Sequence, residues 1–227
     1  LNCGEWIAKY PGTLGNSLKV SMCPSSAAFQ STLTGTVSVT ANSTTVTGSG
    51  TSFVGEVEVG DQLTIFGKEI KVSAIGNTTS LTLASAHSNG ASGVAVTRRW
   101  EYYNQVDVAP GTSTYANNLS GTADEMHVVV VDEDGDISGV AGQVLERYDA
   151  LSAALDAKTD NGSTNYYKEV VNQKSRWIRW ADHLTAKTNA GTNAKGVTFG
   201  TPSKPSTRSL AGGRRGAAPS NADFIRG

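Results

Sequence analysis

The chain has 227 residues and a formal net charge of −1, a length sufficient for one or two domains with a buried core. No apolar run approaches the roughly 20 residues of a membrane helix, and the first residues lack the basic and apolar regions of a signal peptide. Cys3 and Cys23 are too few for a disulfide scaffold or a four-ligand zinc site. We therefore predict neither a membrane protein nor a zinc protein. We expect two unpaired thiols, although a single Cys3–Cys23 bridge stays open.

Small polar residues dominate the composition. Serine and threonine together number 49 and glycine 25, whereas only 17% of the residues are charged. This composition favours turns and β-structure over helix bundles. Neutral polar and β-branched residues, rather than a like-charge excess, fill the place of the missing charges, so we predict a folded chain.

Charge is distributed unevenly along the chain. Residues 100–170 carry 13 acidic and 3 basic side chains, whereas residues 184–227 carry 1 acidic and 7 basic side chains. These stretches are either solvated faces, or an acidic patch of one subunit that meets the basic tail of the next. Nucleic acid binding is disfavoured, because the basic tail has one aromatic residue near its end and no recognisable binding motif.

The first segments read as extended chain. Glu5–Tyr10 is predicted to be extended or briefly helical, and a cluster of turn residues follows at Pro11–Asn16. Ser17–Met22 then alternates polar and apolar residues, which is typical of a half-buried strand.

Residues 24–55 contain no charged side chain, and short alternating runs continue to about Val96. Short strands with regular turns favour a small antiparallel barrel or sandwich, bounded near 24–30 and Arg98. The runs predict strands at 35–40, 44–47, 62–66, 69–75, 80–84 and 93–97. We expect the inward side chains to be Val46, Phe53, Val59, Leu63, Ile65, Ile70, Val72, Ile75, Leu81 and Leu83.

The second half mixes strands with helix. The valine run Met126–Val131 predicts a central strand covered on both faces, followed by a turn at Asp132–Asp136. Apolar residues recur at three- and four-residue steps in Val140–Ala157, which predicts an amphipathic helix. The remaining predictions are a loop after Trp100 through Ser113, a short helix or strand at Asn165–Asn172, a strand at Arg176–Ala181 and an extended loop at Thr185–Pro219.

Asp132, Asp134 and Asp136 alternate like the start of a calcium-binding loop. The sixth position of that loop is Ile137 where glycine is needed, and the twelfth is Gln143 where a bidentate glutamate is needed. An acidic β-turn explains the same residues, and we favour that interpretation.

No catalytic constellation stands out. His87, His127 and His183 are far apart and form no pair with zinc-ligand spacing. Spacing does not exclude a Ser–His–Asp triad, but no G-x-S-x-G elbow is present. We interpret Asp182-His183 as a strand-end pair, and Gly212–Arg215 as a flexible loop that lacks the Lys-Ser/Thr of a phosphate loop. We predict no catalytic, cofactor-binding or metal site, and no cofactor.

Two segments combine aromatic and basic residues, Arg98–Tyr103 and Arg176–Trp180. Three interpretations remain open for them. The arginines can snorkel from a packed core, the segments can form a protein interface rich in Trp, Tyr and Arg, or they can stack on a ligand such as a sugar or single-stranded nucleic acid.

A Tyr-Pro-Gly-x-x-Gly-x-x-apolar pattern runs from Tyr10 to Leu18, inside the segment Trp6–Val20. That segment resembles a stretch of contractile phage tail sheath proteins of the T4-like myoviruses. Further segments resemble the same family in collinear order: Ala109–Ser113, Asp124–Gly135, Val144–Tyr148, Ser163–Asn172, Ser209–Gly213 and Asn221–Asp223. Thr45–Phe53 and Val59–Leu63 look like a small β-module that is found in many phage structural proteins.

The resemblance implies an α+β, mainly β fold. A small antiparallel β-barrel or sandwich is inserted into a second β-sheet domain flanked by helices. Residues 1–30 and 98–205 would form the sheath core domain, 31–97 the inserted barrel, and 206–227 a linker or the start of the next domain. We expect an internal fragment that lacks the C-terminal domain of the sheath.

The resemblance also implies a structural subunit rather than an enzyme. Sheath subunits polymerise helically around the tail tube and rearrange during contraction for genome delivery. The expected partners are neighbouring sheath subunits and the tail tube protein, not nucleic acid or a membrane. The expected location is the phage tail of the virion, after synthesis in the host bacterial cytoplasm.

Two further expectations concern the fragment. We expect it to be monomeric in isolation, and we expect the inserted barrel to project from the outer surface of the sheath, because it joins the core at two nearby points. The alternative function is another virion or surface β-module, such as a baseplate, fibre or carbohydrate-binding part.

Overall fold

Strands dominate the architecture, which confirms the mainly β, α+β class. The computed structural model describes residues 4–215. The predictions for Cys3 and for Asn221–Asp223 lie outside the described residues. Within residues 4–215, no helix is long and apolar enough to span a membrane.

The structure contains fourteen strands in the described range. They are β1 (Trp6–Ala8), β2 (Leu18–Cys23), β3 (Gln30–Thr32), β4 (Thr36–Val39), β5 (Ser43–Ser49), β6 (Gln62–Ile65), β7 (Lys68–Asn77), β8 (Ser80–His87), β9 (Ala91–Val94), β10 (Val96–Arg99), β11 (Glu125–Asp132), β12 (Gln143–Ser152), β13 (Ile178–Trp180) and β14 (Ser206–Ser209). The α-helices are α1 (Ser26–Phe29), α2 (Phe53–Glu56), α3 (Thr114–Asn118) and α4 (Tyr167–Lys174), and 3-10 turns lie at Thr13–Ser17 and Tyr103–Gln105.

The central sheet has the antiparallel order β12-β11-β2-β14. Val128 and Val130 of β11 face one apolar core, which α4 and β13 help to cover. Val129 and Val131 face a second core, built around Trp100. All four valines are fully buried, so the prediction of a strand covered on both faces is confirmed.

The helix predicted over Val140–Ala157 is wrong, because β12 occupies Gln143–Ser152. The pairing of β12 with β11 shifts register twice, between Val130 and Val131 and between Met126 and Val128. Each shift adds an unpaired residue to β12, and Ala150 at the second one has φ 48. These bulges turn a two-residue alternation into the three- and four-residue steps that imitated a helix.

The segment between β3 and β10 forms an eight-stranded antiparallel sheet in the order β3-β10-β6-β7-β8-β5-β4-β9. Its buried side chains come from six strands, from α2 and from Leu33 and Val57 beside them, and make one cluster. Helix α2 has only four residues, too few to cover such a cluster alone, so the sheet curls around its own core. The predicted strand 93–97 is two strands, β9 and β10, which pair with different neighbours.

Most of the predicted inward side chains of this unit are buried, with two exceptions. Val59 is half exposed, because it lies in a turn closed by the Asp61 backbone N–H on the Glu58 carbonyl at 3.1 Å. Val57 is fully buried in the core instead. Ile75 is only partly buried.

Two strands border the point where this unit joins the central sheet. β3 and β10 pair side by side, with Gln30 opposite Arg99 and Thr32 opposite Thr97. The chain therefore leaves and re-enters the central part of the fold at neighbouring positions. Elsewhere the predicted loop Thr185–Pro219 is wrong at Ser206–Ser209, which forms the edge strand β14 on β2.

Phe66 and Gly67 form the two-residue turn between β6 and β7, where Ile65 pairs with Lys68. Both residues have positive φ, 46 for Phe66 and 76 for Gly67, as a type I′ turn requires. Asn-Gly is the preferred sequence for this turn, and a bulky residue with positive φ is strained. Phe66 is also 70% exposed. The fold therefore holds an aromatic ring in water at a backbone position that disfavours it.

We predict that Phe66→Asn stabilises the chain by about 1 kcal/mol, because asparagine tolerates the left-handed conformation. Denaturant unfolding would measure the change. Val108→Asn is the control, since Val108 is exposed but does not have positive φ, and its effect should stay within about 0.5 kcal/mol. A less stable Phe66→Asn variant would contradict the strain argument.

Candidate functional site

The acidic turn after β11 is organised around one buried carboxylate. Asp132 accepts hydrogen bonds from the Ser17 hydroxyl at 2.6 Å, from the Ile137 backbone at 3.0 Å and from both the backbone and hydroxyl of Ser138. Asp134 and Asp136 are exposed. Among residues 4–215, no group of three His, Cys, Asp or Glu side chains is arranged to hold a metal ion. Asp132 acts here as an acceptor for the amides of its own turn.

The ionisation of Asp132 follows from these contacts. Burial favours the neutral acid, but the hydrogen bonds from Ser17 and Ser138 favour the carboxylate more strongly. Together they lower the pKa of Asp132 from 3.8 to about 2. The carboxylate is therefore charged at neutral pH and loses its charge only as the pH falls toward 2.

The three histidines lie in three different places. His127 is buried, with Nε2 2.9 Å from the Val108 carbonyl and Nδ1 accepting the Ala150 N–H, and burial lowers its pKa. His87 binds the Ile65 carbonyl in the curled sheet. His183 Nδ1 lies 2.6 Å from the Tyr167 hydroxyl, beside Asp182. Among the described residues, each histidine ring lies within hydrogen-bond distance of another segment of the fold, and none of these partners is a serine hydroxyl.

The first aromatic-basic segment packs into the core. Arg98 and Trp100 are fully buried, and the Trp100 indole donates to the Ser21 hydroxyl at 2.8 Å. Arg99 is partly exposed and lies over the ring of Tyr103. In the second segment, Ile178 is buried and Trp180 is partly buried, with the Lys168 ammonium 3.7 Å from its ring centre.

Arg98 joins the curled sheet to the central part of the fold. Its guanidinium donates to the Ala28 carbonyl, to the Ala27 carbonyl at 2.6 Å and to the Ser203 carbonyl at 2.7 Å. Its Nε lies 3.8 Å from the Asp61 carboxylate, which is also buried. One cation thus connects β10 with α1 and with the segment before β14.

Two opposing effects act on the pKa of Asp61 at this junction. Burial raises the pKa of Asp61 to about 7, although the Arg98 guanidinium opposes the shift. A second link lies nearby, where Lys204 donates to the Val54 carbonyl at 3.0 Å and pairs with Glu58 at 2.9 Å. Removal of Asp61 would leave the buried guanidinium without its counterion. Removal of Arg98 would raise the pKa of Asp61 further and favour its neutral form.

A groove of about 730 Å³ lies between β1 and β14. Val20 and Met22 of β2 contribute to its lining, and Glu5 pairs with Arg208 at 3.0 Å across its lining segments. The exposed side chains of Ile7 and Tyr10 add apolar surface. β14 is the last strand of its sheet, and such an edge can accept backbone hydrogen bonds from an extended segment.

The loop predicted at Gly212–Arg215 is held at one point. The Gly213 N–H donates to the Asn16 side chain at 2.7 Å, and that side chain donates back to the Gly213 carbonyl at 3.1 Å. This contact places Gly213 at the border of the groove.

Sequence reasoning missed both the junction and the groove. One signal was available for the junction, because Val96, Arg98 and Trp100 share a period of two and so point to the same buried face. No sequence signal pointed to the groove, since β14 consists of four Ser, Thr and Arg residues with no apolar alternation.

Comparisons with known proteins give one informative similarity. The chain is 23% identical over 199 residues to the tail sheath protein of Salmonella phage ViI, in a match that covers 76% of this chain and 30% of that protein. The chain therefore spans less than a third of the length of this relative. No protein-family model and no solved structure matches.

We predict that Arg98→Leu destabilises the chain by about 3–5 kcal/mol, because the carbonyls of Ala27, Ala28 and Ser203 lose their donor and Asp61 is left buried without its partner. Arg99→Leu is the matched control. The contacts of this partly exposed arginine, with Glu69 at 3.4 Å, Gln30 at 2.8 Å and the ring of Tyr103, lie at the surface, so its cost should stay below about 1 kcal/mol. Urea unfolding of both variants measures the difference. Equal effects would refute the role of the buried guanidinium.

We predict a second effect at the acidic turn. The folded-state pKa of Asp132 is depressed, so its carboxylate stabilises the fold above about pH 4, and this contribution disappears as pH falls toward 2. Asp132→Asn should be less stable than the unmodified chain at pH 6, and the gap should narrow between pH 4 and pH 2. Asp136→Asn, on the exposed side of the same turn, should leave the pH profile of unfolding unchanged.

Proposed function

We propose that the chain is a structural part of a phage tail sheath and has no catalytic role. The observation that carries this proposal is the similarity to a tail sheath protein over 199 residues. The match covers 76% of this chain rather than one short motif. The histidines and buried acids described above contribute hydrogen bonds to the fold, which agrees with a structural role.

The finer proposal is that the sheath is contractile and of the T4-like type. Subunits of this kind polymerise helically around a tail tube and move as rigid bodies. Rigid movement requires that the two sheets of one subunit keep a fixed relation. Arg98 and Lys204 support such a relation, because they bind the curled sheet to the central part of the fold at separate points.

The proposed partners are neighbouring sheath subunits and the tail tube protein, and the proposed location is the virion. Open assemblies need two different complementary surfaces on each subunit. The acidic stretch 100–170 and the basic stretch 184–227 supply opposite charges for such contacts. The open edge of β14 beside the groove is a further surface for a neighbour.

We propose in addition that residues 31–97 project outward from the sheath. They enter and leave the central fold through the adjacent strands β3 and β10, so the rest of the unit is free to extend away. Such a placement leaves the central sheet available for contacts around the tube.

The test is electron microscopy of phage particles labelled with two antibodies, one against residues 31–97 and one against the central sheet. We expect regular labelling along the tail by the first antibody, before and after contraction. The second antibody should label weakly if contacts between subunits cover the central sheet. Labelling confined to the baseplate or fibres would replace the sheath assignment by another virion part. Absence of label on every particle would refute both the sheath assignment and the assignment to another virion part.

A further inference from the structure

The turn at Phe66 lies at the end of β6 and β7 that points away from the Arg98 junction. Arg99 of β10 pairs with Gln62 beside the Arg98 junction, and Val96 at the other end of β10 pairs with Ile65. The Phe66-Gly67 turn therefore follows the strand end that points away from the central sheet. This end of the unit is free of the contacts that hold the junction together.

Two other turns meet this end. The Lys68 ammonium donates to the Ala86 carbonyl at 3.2 Å and lies 3.4 Å from the Ser88 hydroxyl. The Asn42 N–H donates to the His87 carbonyl at 2.8 Å, which ties the β4–β5 turn to the end of β8. We call this group of turns, residues 40–43, 66–68 and 86–90, the distal surface.

The distal surface is almost uncharged. Lys68 is the one ionic side chain of this surface, and its ammonium already donates a hydrogen bond to the adjacent turn at Ala86. Glu69 follows directly, but its carboxylate is held by the Tyr103 hydroxyl at 2.9 Å, toward the junction. The exposed residues that remain are small and polar, chiefly Thr40, Asn42, Ser88 and Asn89. A highly cationic partner would find no counterpart here, and a highly anionic partner would meet only the Lys68 ammonium, which is already hydrogen-bonded.

The distal surface carries one aromatic ring. Phe66 is the single large apolar side chain within residues 40–43, 66–68 and 86–90 that is exposed. A protein interface normally buries a cluster of apolar and aromatic anchors at its centre. One ring among amides and hydroxyls instead fits the face of a sugar, whose C–H groups pack on the ring while its hydroxyls bond to polar neighbours.

The backbone that carries the ring is held in place. His87 is fully buried, and its Nε2 lies 3.0 Å from the carbonyl of Ile65, the residue before Phe66. The two-residue turn itself has a fixed geometry. A ligand that binds such a surface loses little free energy to ordering of the protein.

We propose that the distal surface binds neutral polysaccharide, with the ring of Phe66 packed against a sugar and with Asn42, Ser88 and Asn89 as hydrogen-bonding neighbours. The proposal does not depend on the sheath assignment, because it rests on the curled sheet alone. Because Phe66 is strained, one substitution should change stability and binding in opposite directions. Replacement by asparagine should improve the turn and remove the binding.

The test is native affinity electrophoresis of the full chain in gels that contain dextran, galactomannan or glycogen, with alginate as an anionic comparison. We expect at least one neutral polysaccharide to retard the unmodified chain. Phe66→Tyr, which keeps the ring, should be retarded similarly. Phe66→Asn should lose at least about tenfold in apparent affinity while remaining folded. Val108→Asn, which removes an exposed apolar side chain elsewhere, should behave as the unmodified chain.

Several results would overturn the proposal. They are migration unaffected by all three neutral polysaccharides, retardation by alginate alone, and retardation that persists in Phe66→Asn. Sedimentation of the unmodified chain provides a separate check. Concentration-dependent association that disappears in Phe66→Asn would assign Phe66 to a contact between copies of the chain instead.

Discussion

Burial of β11 on both faces is the constraint around which the rest of the structure is arranged. A strand with consecutive buried valines needs an apolar layer above and below it. On one side the layer includes α4 and β13, and on the other it is built around Trp100 and Tyr102. Since Trp100 directly follows β10, the second layer also fixes where the curled sheet returns to the central sheet.

Buried charges close the ends of this arrangement. Asp132 ends β11 and binds the amides of its own turn. Near the start of the same strand, the buried ammonium of Lys187 donates to the carbonyls of Pro24, Ala123 and Glu125 at 2.6, 2.6 and 3.2 Å. Burial lowers the pKa of Lys187 to about 8, while Asp124 opposes the shift. Most partners of these charges are backbone atoms, so each charge specifies the path of loops that side-chain packing alone would leave open.

The outcome of sequence reasoning can be traced to particular residues. The strand β11 could be predicted because all positions of its valine run are buried. The hairpins of the curled sheet could be predicted because glycine and asparagine mark their turns. β12 could not be predicted, since its two bulges are set by pairing with β11 and not by its own residues. Arg98 was recognised as part of an aromatic-basic segment, but its burial depends on carbonyls of α1 and of Ser203, which are distant in sequence. The groove depends on the meeting of both ends of the described chain, which no local pattern reveals.

The adjacency of β3 and β10 has a genetic consequence. Gln30 and Arg99 lie opposite each other, so the coding segment between them can be gained, lost or exchanged in frame without reordering the strands β12-β11-β2-β14. What changes in such an event is chiefly the polar contact set around Arg98 and Lys204. A unit attached in this way can pass between genes as a cassette, and its outer turns can diversify at a different pace from the sheet that carries it.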